Sequence, residues 1–231
     1  QGFNTGDGLI NNEVASIHQD REGHLWFGTF GGVSQYDDRT WRTYREEHGL
    51  AHNEIWAGFR DSRGDLWFAT GGGFGAGGAG ISRFDGSTWT NYTTKDGLAS
   101  NTVYSLCETP GGDLWVGTSR GASRMTFSDD GTVTVGSLGV SHGLPGAAVT
   151  AVEPGESGEV WLGCFGGGLA RFDGESLSVY DPADGLAGTQ VHDIFKDRDG
   201  ALWVAVYDNG LSFLKGTRVS NYRTEDGLPH G

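Results

Sequence analysis

Aromatic and hydrogen-bonding side chains recur in this chain at two fixed phases, and the chemistry they offer is recognition. One set stands directly after Val14, Ile55, Val103, Val149 and Val191: Ala15, Trp56, Tyr104, Thr150 and His192. The other follows a Trp-containing strand pattern: Phe30, a loop with Phe74, Arg120, Phe165, and Tyr207-Asp208-Asn209. Aromatic faces stack on apolar ring surfaces, while a guanidinium, an imidazole and a carboxylate bond polar edges. That mixture suits a sugar, and an amphipathic or aromatic small molecule almost as well. The candidate ligand-binding residues are therefore Phe30, Trp56, Tyr104, Arg120, Phe165, His192, Tyr207 and Asp208. For Trp56 and Tyr104, packing between neighbouring repeats is the competing reading.

Residues for covalent or metal chemistry are poorly spaced. The seven histidines, His18, His24, His48, His52, His142, His192 and His230, include no close helical ligand pair. The Asp-x-x-Gly turns at Asp20, Asp61 and Asp197 lack the alternating carboxylates of a calcium loop, and an Asp–backbone hydrogen bond in a hairpin explains them. No Gly-x-Ser-x-Gly elbow occurs, and the Gly71 to Gly80 tract lacks the Lys-Ser/Thr ending of a phosphate loop. No catalytic residue, metal ligand or cofactor is assigned, and enzymatic activity is the less favoured reading.

The elements that must position these groups follow from an internal repeat. Gly-Leu recurs at Gly8, Gly49, Gly97, Gly143, Gly185 and Gly227, at spacings of 41, 48, 46, 42 and 42 residues. Eighteen residues after each of the first five glycines stands a tryptophan: Trp26, Trp67, Trp115, Trp161 and Trp203. Each unit reads as four short strands; in the first they fall near Val14 to Gln19, Leu25 to Thr29, Val33 to Tyr36 and Trp41 to Tyr44. No segment carries a 3.6-residue apolar period, so almost no helix is expected. A four-stranded unit cannot bury both faces alone, whereas radial stacking buries both. The expectation is an all-β propeller of five four-stranded antiparallel blades around a central channel, one domain over 1–231. Its blades fall at about 12–48, 53–96, 101–142, 147–184 and 189–226. Closure with both termini at one seam is favoured over a segment of a longer array. The repeated tryptophans are read as blade-packing residues. The connections carrying both candidate sets share one face, around the channel mouth.

Composition narrows the classes further. The 231 residues carry 30 acidic against 16 basic side chains, a net charge of −14, which argues against nucleic acid and anionic membranes as partners. The 42 glycines accompany 8 Trp, 7 Tyr and 12 Phe, enough large apolar groups to exclude a disordered Gly-rich linker. No apolar run is long enough for a membrane-spanning helix. Cys107 and Cys164 allow one disulfide at most and are read as buried thiols acting as small hydrophobes. The chain begins at Gln1 with no signal peptide, which reads as a processed or excised product.

Asp7-Gly-Leu-Ile-Asn-Asn12 with Val14, Ile17, Asp20, Gly23, Leu25-Trp26, Gly28-Thr29 and Gly32-Val33 resembles the two-component regulator propeller repeat. Asp96 to Asn101, with Val103, Leu106 and Leu114-Trp-Val-Gly-Thr118, repeats it closely. The resemblance implies a bacterial, extracytoplasmic (periplasmic or secreted) sensor-type propeller: a non-catalytic module binding an oligosaccharide or other small molecule at one mouth, with a partner signalling domain or protein. A protein–protein interaction scaffold is the alternative. A metal-dependent lyase or hydrolase comes third, since His192 with Asp193 or Glu153 would imitate part of the histidine-and-acid set of streptogramin lyases, which are also propellers.

Overall fold

The computed structural model describes residues 2–71, 77–207, 209–216 and 218–229. Among the described residues, twenty strands form five four-stranded antiparallel sheets, each in simple sequential order. Blade 1 comprises β1 (Val14–Gln19), β2 (Leu25–Thr29), β3 (Gly32–Tyr36) and β4 (Trp41–Tyr44). Blade 2 comprises β5 (Ile55–Arg60), β6 (Leu66–Thr70), β7 (Gly80–Phe84) and β8 (Trp89–Tyr92). Blade 3 comprises β9 (Val103–Glu108), β10 (Leu114–Thr118), β11 (Gly121–Phe127) and β12 (Val133–Leu138). Blade 4 comprises β13 (Ala148–Pro154), β14 (Val160–Phe165), β15 (Gly168–Phe172) and β16 (Leu177–Tyr180). Blade 5 comprises β17 (Val191–Lys196), β18 (Leu202–Val206), β19 (Gly210–Lys215) and β20 (Arg218–Tyr222). The helical content among the described residues is four three-residue 3-10 turns. This is the nearly helix-free, five-bladed propeller architecture that the repeat predicts.

The chain divides into two compact units, 1–106 and 107–231. In the first, β1 and β2 pack against β5. Its core joins Trp26, Val33, Leu50, Ile55, Leu66 and Phe68. In the second, β10 and β11 pack against β13, and β13 and β14 against β17. Two clusters there are centred on Val149, Leu162 and Cys164, and on Leu169, Val191 and Val204. Trp26, Trp67 and Trp115 are buried and Trp161 and Trp203 half-buried, the packing role expected of the repeat tryptophan. Cys107 and Cys164 are free, buried thiols, as read from the sequence.

Glycine sits in the second strand of several blades because neighbouring blades approach closely there. A Cβ on Gly28 would come within 2.7 Å of Ile55 Cγ2, and one on Gly163 within 2.5 Å of Val191 Cγ1. Both contacts carry the first residue of the next blade onto the preceding sheet.

Candidate functional site

At one end of each blade lie the connection from its second to its third strand and the one leading into its first strand. Both are tied down by the repeat signature. The Gly of Gly-Leu ends a short turn, of 3-10 type before Gly49, Gly143, Gly185 and Gly227, in the left-handed conformation, at φ 111° for Gly49 and 98° for Gly185, a conformation that glycine adopts without steric cost. The following leucine is buried, and the next N–H reaches a serine of the third strand: Ile10 to Ser34 and Ala51 to Ser82 at 3.0 Å, and Ala187 to Ser212 at 2.8 Å. The asparagine after each loop accepts from the loop backbone, Asn12 from Thr5, Asn53 from Glu46 and Asn101 from Thr94. Ala147 stands at this phase in blade 4. The threonine closing the second strand spans the next hairpin, Thr29 Oγ1 donating to Gly32 O and Thr118 Oγ1 to Gly121 O, each at 2.8 Å. Connections held this firmly can present side chains in fixed positions.

The first candidate set owes its position to a β-bulge. Pairing slips between Val14 and Ser16, Ile55 and Ala57, Val149 and Ala151, and Val191 and Asp193. The residue inside each slip is Ala15, Trp56, Thr150 or His192. A bulge leaves its extra residue outside the ladder and re-aims its side chain. Trp56 is thus 36% exposed, and its ring lies 4.6 Å from that of Phe30 at an interplanar angle of 39°. Phe30 directly follows β2 and is held by its N–H on Glu13 O at 3.1 Å. In the second unit Phe165, at the end of β14, and Tyr207, just after β18, lie 6.5 Å apart at 59°. They are 42% and 55% exposed. Both are tied to Gln190, Phe165 by a β-bridge and Tyr207 by its N–H on the Gln190 carbonyl at 2.9 Å.

The remaining candidates stand outside these two pairs. Tyr104 is the second residue of β9 and half-buried, and desolvation raises its phenol pKa. Arg120 is exposed on the hairpin after β10, its own N–H bonded to Thr118 Oγ1 at 3.2 Å. His192 is exposed at its bulge. Thr150, at the same phase, is buried, and its hydroxyl donates to Val191 O at 2.6 Å, so that bulge is filled by packing. Asp208 and Phe74 lie outside the described residues. The candidate set is therefore brought together as two aromatic pairs, one in each unit, with Arg120 and His192 exposed at the same end of their own blades.

The acidic groups divide between turns and the core. Asp20, Glu22 and His24 are grouped closely enough to share an ion. Asp20 is already saturated by the chain, since its two oxygens accept from the N–H groups of Glu22 and His24, the His24 ring and Trp26 Nε1 at 2.8–3.1 Å. Burial works to raise the Asp20 carboxyl, and the bonds from Trp26 and His24 outweigh it and hold the pKa below its ordinary value. Glu153 lies three residues further along its strand than the phase of His192, about 10 Å at the usual rise of a strand. Burial raises the Glu153 carboxyl pKa. Asp193 turns one oxygen to the N–H of Ile194 at 2.9 Å.

The bulge is the feature that sequence reasoning misses. Spacing locates the variable position after each leading Val or Ile, while the extra residue shows only in the pairing. The available signal is the small residue opposite it, Gly28, Ala69, Gly163 and Ala205, where the adjoining strand crowds in.

The family model for the two component regulator propeller matches residues 8–31, 97–120 and 185–208, which are the loop, first strand and second strand of blades 1, 3 and 5. No curated protein matches the chain. Among solved structures, the extracellular domain of a hybrid two-component system from B. thetaiotaomicron matches at 23% identity and a TM-score of 0.74, over 96% of this chain and 30% of that one. The extracellular domain of a one-component system from the same organism matches at 22% identity and a TM-score of 0.72, over 92% of this chain and 31% of that one. Virginiamycin B lyase from Staphylococcus aureus matches at 17% identity and a TM-score of 0.62, over 91% of this chain and 70% of that one. The chain thus spans about a third of the length of the two sensor structures. It is a propeller-fold domain similar in fold to these extracellular sensor domains. No described helix is long and apolar enough to cross a membrane.

Proposed function

We propose that this chain is a non-catalytic recognition module of an extracytoplasmic sensor, binding an oligosaccharide or a comparable amphipathic small molecule at the loop-bearing end of its blades. The observation that carries this reading is the Phe30–Trp56 pair, two aromatic rings 4.6 Å apart on a bulge and a hairpin that the repeat holds rigid. The exposed Phe165–Tyr207 pair repeats the arrangement in the second unit. Aromatic faces supply stacking area at low entropic cost, and Arg120 and His192, exposed on blades 3 and 5, offer polar contacts. A signalling domain is the partner that fits a sensor-type module.

A thermal-shift screen against oligosaccharides and a metabolite library tests the reading. A ligand at about 100 times its Kd adds roughly 2.7 kcal/mol, which raises the Tm of a domain of this size by about 5–10 °C. The expected result is a hit that disappears in Trp56→Ala or Phe165→Ala, with each variant still folded. Silence across the library with a sharp transition, or a hit indifferent to both substitutions, defeats the proposal.

A further inference from the structure

At the other end of the blades, where the first strand turns into the second, the repeat tryptophan is normally enclosed. In blade 1, Asp20 accepts from Trp26 Nε1 at 2.8 Å. Phe84 of blade 2 covers the indole, with centroids 5.2 Å apart. The Arg21 guanidinium crosses to the carbonyl of Ser62 in the next blade's turn at 2.7 Å. In blade 3, Phe172 of blade 4 covers Trp115 in the same way, at 5.7 Å.

Blade 4 differs at each of these places. Gly155 stands where blade 1 has Asp20, Glu156 where it has Arg21, and Leu214 replaces the covering phenylalanine of the next blade. The result is a cavity of about 410 Å³ whose lining includes Trp161, Glu156, Lys196, Asp199, Leu214 and Lys215. That volume falls within the range of small-molecule sites. Glu159 folds into the space above Gly155, but its carboxylate serves the turn, accepting from Ser157 N at 2.9 Å and pairing with Arg171 at 3.4 Å. Trp161 Nε1 is left without a hydrogen-bond partner among the described residues. Arg171 lies over the Trp161 ring at 5.8 Å. Lys196 Nζ is committed to Pro154 O at 2.7 Å, while Lys215 is exposed at the rim, where its charge also helps to lower the Asp197 carboxyl pKa.

We propose that this slot between blades 4 and 5 is a second ligand site, and that it takes a small aromatic carboxylate. The ligand class follows from what the other blades place there. A flat ring from the next blade covers the indole in blades 1 and 3, and a carboxylate accepts from the indole N–H in blades 1, 2 and 5. At Trp161, which keeps Tyr180 against it at 5.5 Å, Leu214 stands in place of the next-blade ring, and the Glu159 carboxylate is turned to Ser157 N and Arg171 rather than to Nε1. The ligand ring takes the volume that Leu214 leaves open. Its carboxylate accepts from Trp161 Nε1, and the Lys215 ammonium balances the charge. The site is separate from the loop-end aromatic pairs, so it stands or falls independently of them.

Phenylacetate is the probe, read by NMR on 15N-labelled protein, with the Trp161 indole resonance assigned by its loss in Trp161→Phe. The expected result is a saturable shift of that resonance. Binding should weaken about tenfold for phenylacetamide, which keeps the ring and loses the charge that strengthens the hydrogen bond. Leu214→Phe, which restores the covering ring, should abolish the shift, and Trp56→Ala should leave it unchanged. Should Leu214→Phe lose its fold, Lys215→Ala at the exposed rim serves instead, with an expected weakening of about tenfold. No saturable shift at millimolar phenylacetate overturns the proposal. So does equal affinity for the amide, or a shift that survives Leu214→Phe in a folded protein or is undiminished in Lys215→Ala.

Discussion

Trp67 donates its indole N–H to the Asp61 carboxylate at 2.9 Å, and the same bond, six residues apart in sequence, joins Trp26 to Asp20 at 2.8 Å and Trp203 to Asp197 at 3.1 Å. The aspartate therefore does two things at once. One oxygen closes the turn on backbone N–H groups, and the other caps the tryptophan that packs the blade. The repeat keeps Asp and Trp together because each satisfies a group that the other helps to bury. Where the aspartate is absent, at Thr109 and Gly155, the indole loses this cap and the packing around it changes.

Replacing Asp61 by Ala tests that coupling. Trp67 is fully buried and Asp61 is 2% exposed, so its loss strands the indole N–H together with the Asp65 N–H that it also accepts at 2.9 Å. An unpaired buried donor costs about 1–3 kcal/mol. Asp61→Ala should therefore lower unfolding stability by at least that amount, and Asp61→Asn, which keeps an acceptor, by less. Urea titration of the three proteins measures this; equal stabilities would mean that the cap contributes nothing.

The turns between third and fourth strands predict an acid limb. Asp37 is held at a pKa of about 2 by N–H and hydroxyl bonds from Thr40 and the N–H of Arg39. Asp173 is held at about 2 by the N–H groups of Ser176 and Glu175 and the Ser176 hydroxyl. Both pKa values lie below the unfolded value of about 3.9, so their contribution is complete above that pH and is lost as the pH falls from about 4 to about 2. The Tm should decline across that window, and more shallowly in a protein carrying Asp37→Asn and Asp173→Asn. An identical decline in that variant would assign the limb to other carboxylates.

Repetition explains why so much of the fold was legible. Five copies of Gly-Leu and Trp at one offset placed β1 to β4 almost to the residue, and Asp-Gly-Leu proved to be a left-handed glycine with a buried leucine anchor. The site was legible only as a phase. Trp56 and Thr150 occupy the same repeat position, yet one is exposed beside Phe30 and the other is buried with its hydroxyl on Val191 O. What separates them is the size of the residue in the bulge and the backbone that meets it, which single-chain spacing does not carry. The slot at Trp161 escaped for the converse reason. Its signal is a set of substitutions at Gly155, Glu156 and Leu214, far apart in sequence and meaningful only once blades are superposed.

Close packing at the bulges gives a sharper test. A Cβ on Gly163 would sit 2.5 Å from Val191 Cγ1, whereas one on Gly136 meets nothing within 4 Å. Gly163→Ala should cost about 1–3 kcal/mol through overpacking. Gly136→Ala should be neutral or stabilise by about 0.4–1 kcal/mol by restricting the unfolded chain. Denaturant midpoints compare them directly, and a neutral Gly163→Ala would show that β17 can move away from β14.

Burial protects both thiols. It pushes the Cys164 thiol to about 11 and Cys107 higher still. Native protein at mildly alkaline pH should leave a thiol reagent unreacted, and unfolded protein should consume two equivalents, one for each cysteine. The folded pKa values lie above the unfolded value of about 8.5, so stability is complete below that pH and declines as the pH rises towards 11. Rapid labelling of the native protein would place a cysteine at the surface.

Trp56 and Trp67 should behave as opposites although both are tryptophans of blade 2. Trp67 is fully buried, and truncating such a side chain to Ala costs about 3–5 kcal/mol. Trp56 is 36% exposed, and its one ring contact among the described residues is Phe30, a pair worth about 0.5–1.5 kcal/mol beyond its buried area. Trp56→Ala should therefore leave a cooperatively folded protein with a Tm only a few degrees lower, while Trp67→Ala should come close to unfolding it. If Trp56→Ala is as damaging as Trp67→Ala, the bulge tryptophan is a packing residue and the recognition surface must be sought around Phe165 and Tyr207. A mild Trp56→Ala leaves a folded protein in which loss of ligand binding reports on recognition and on nothing else.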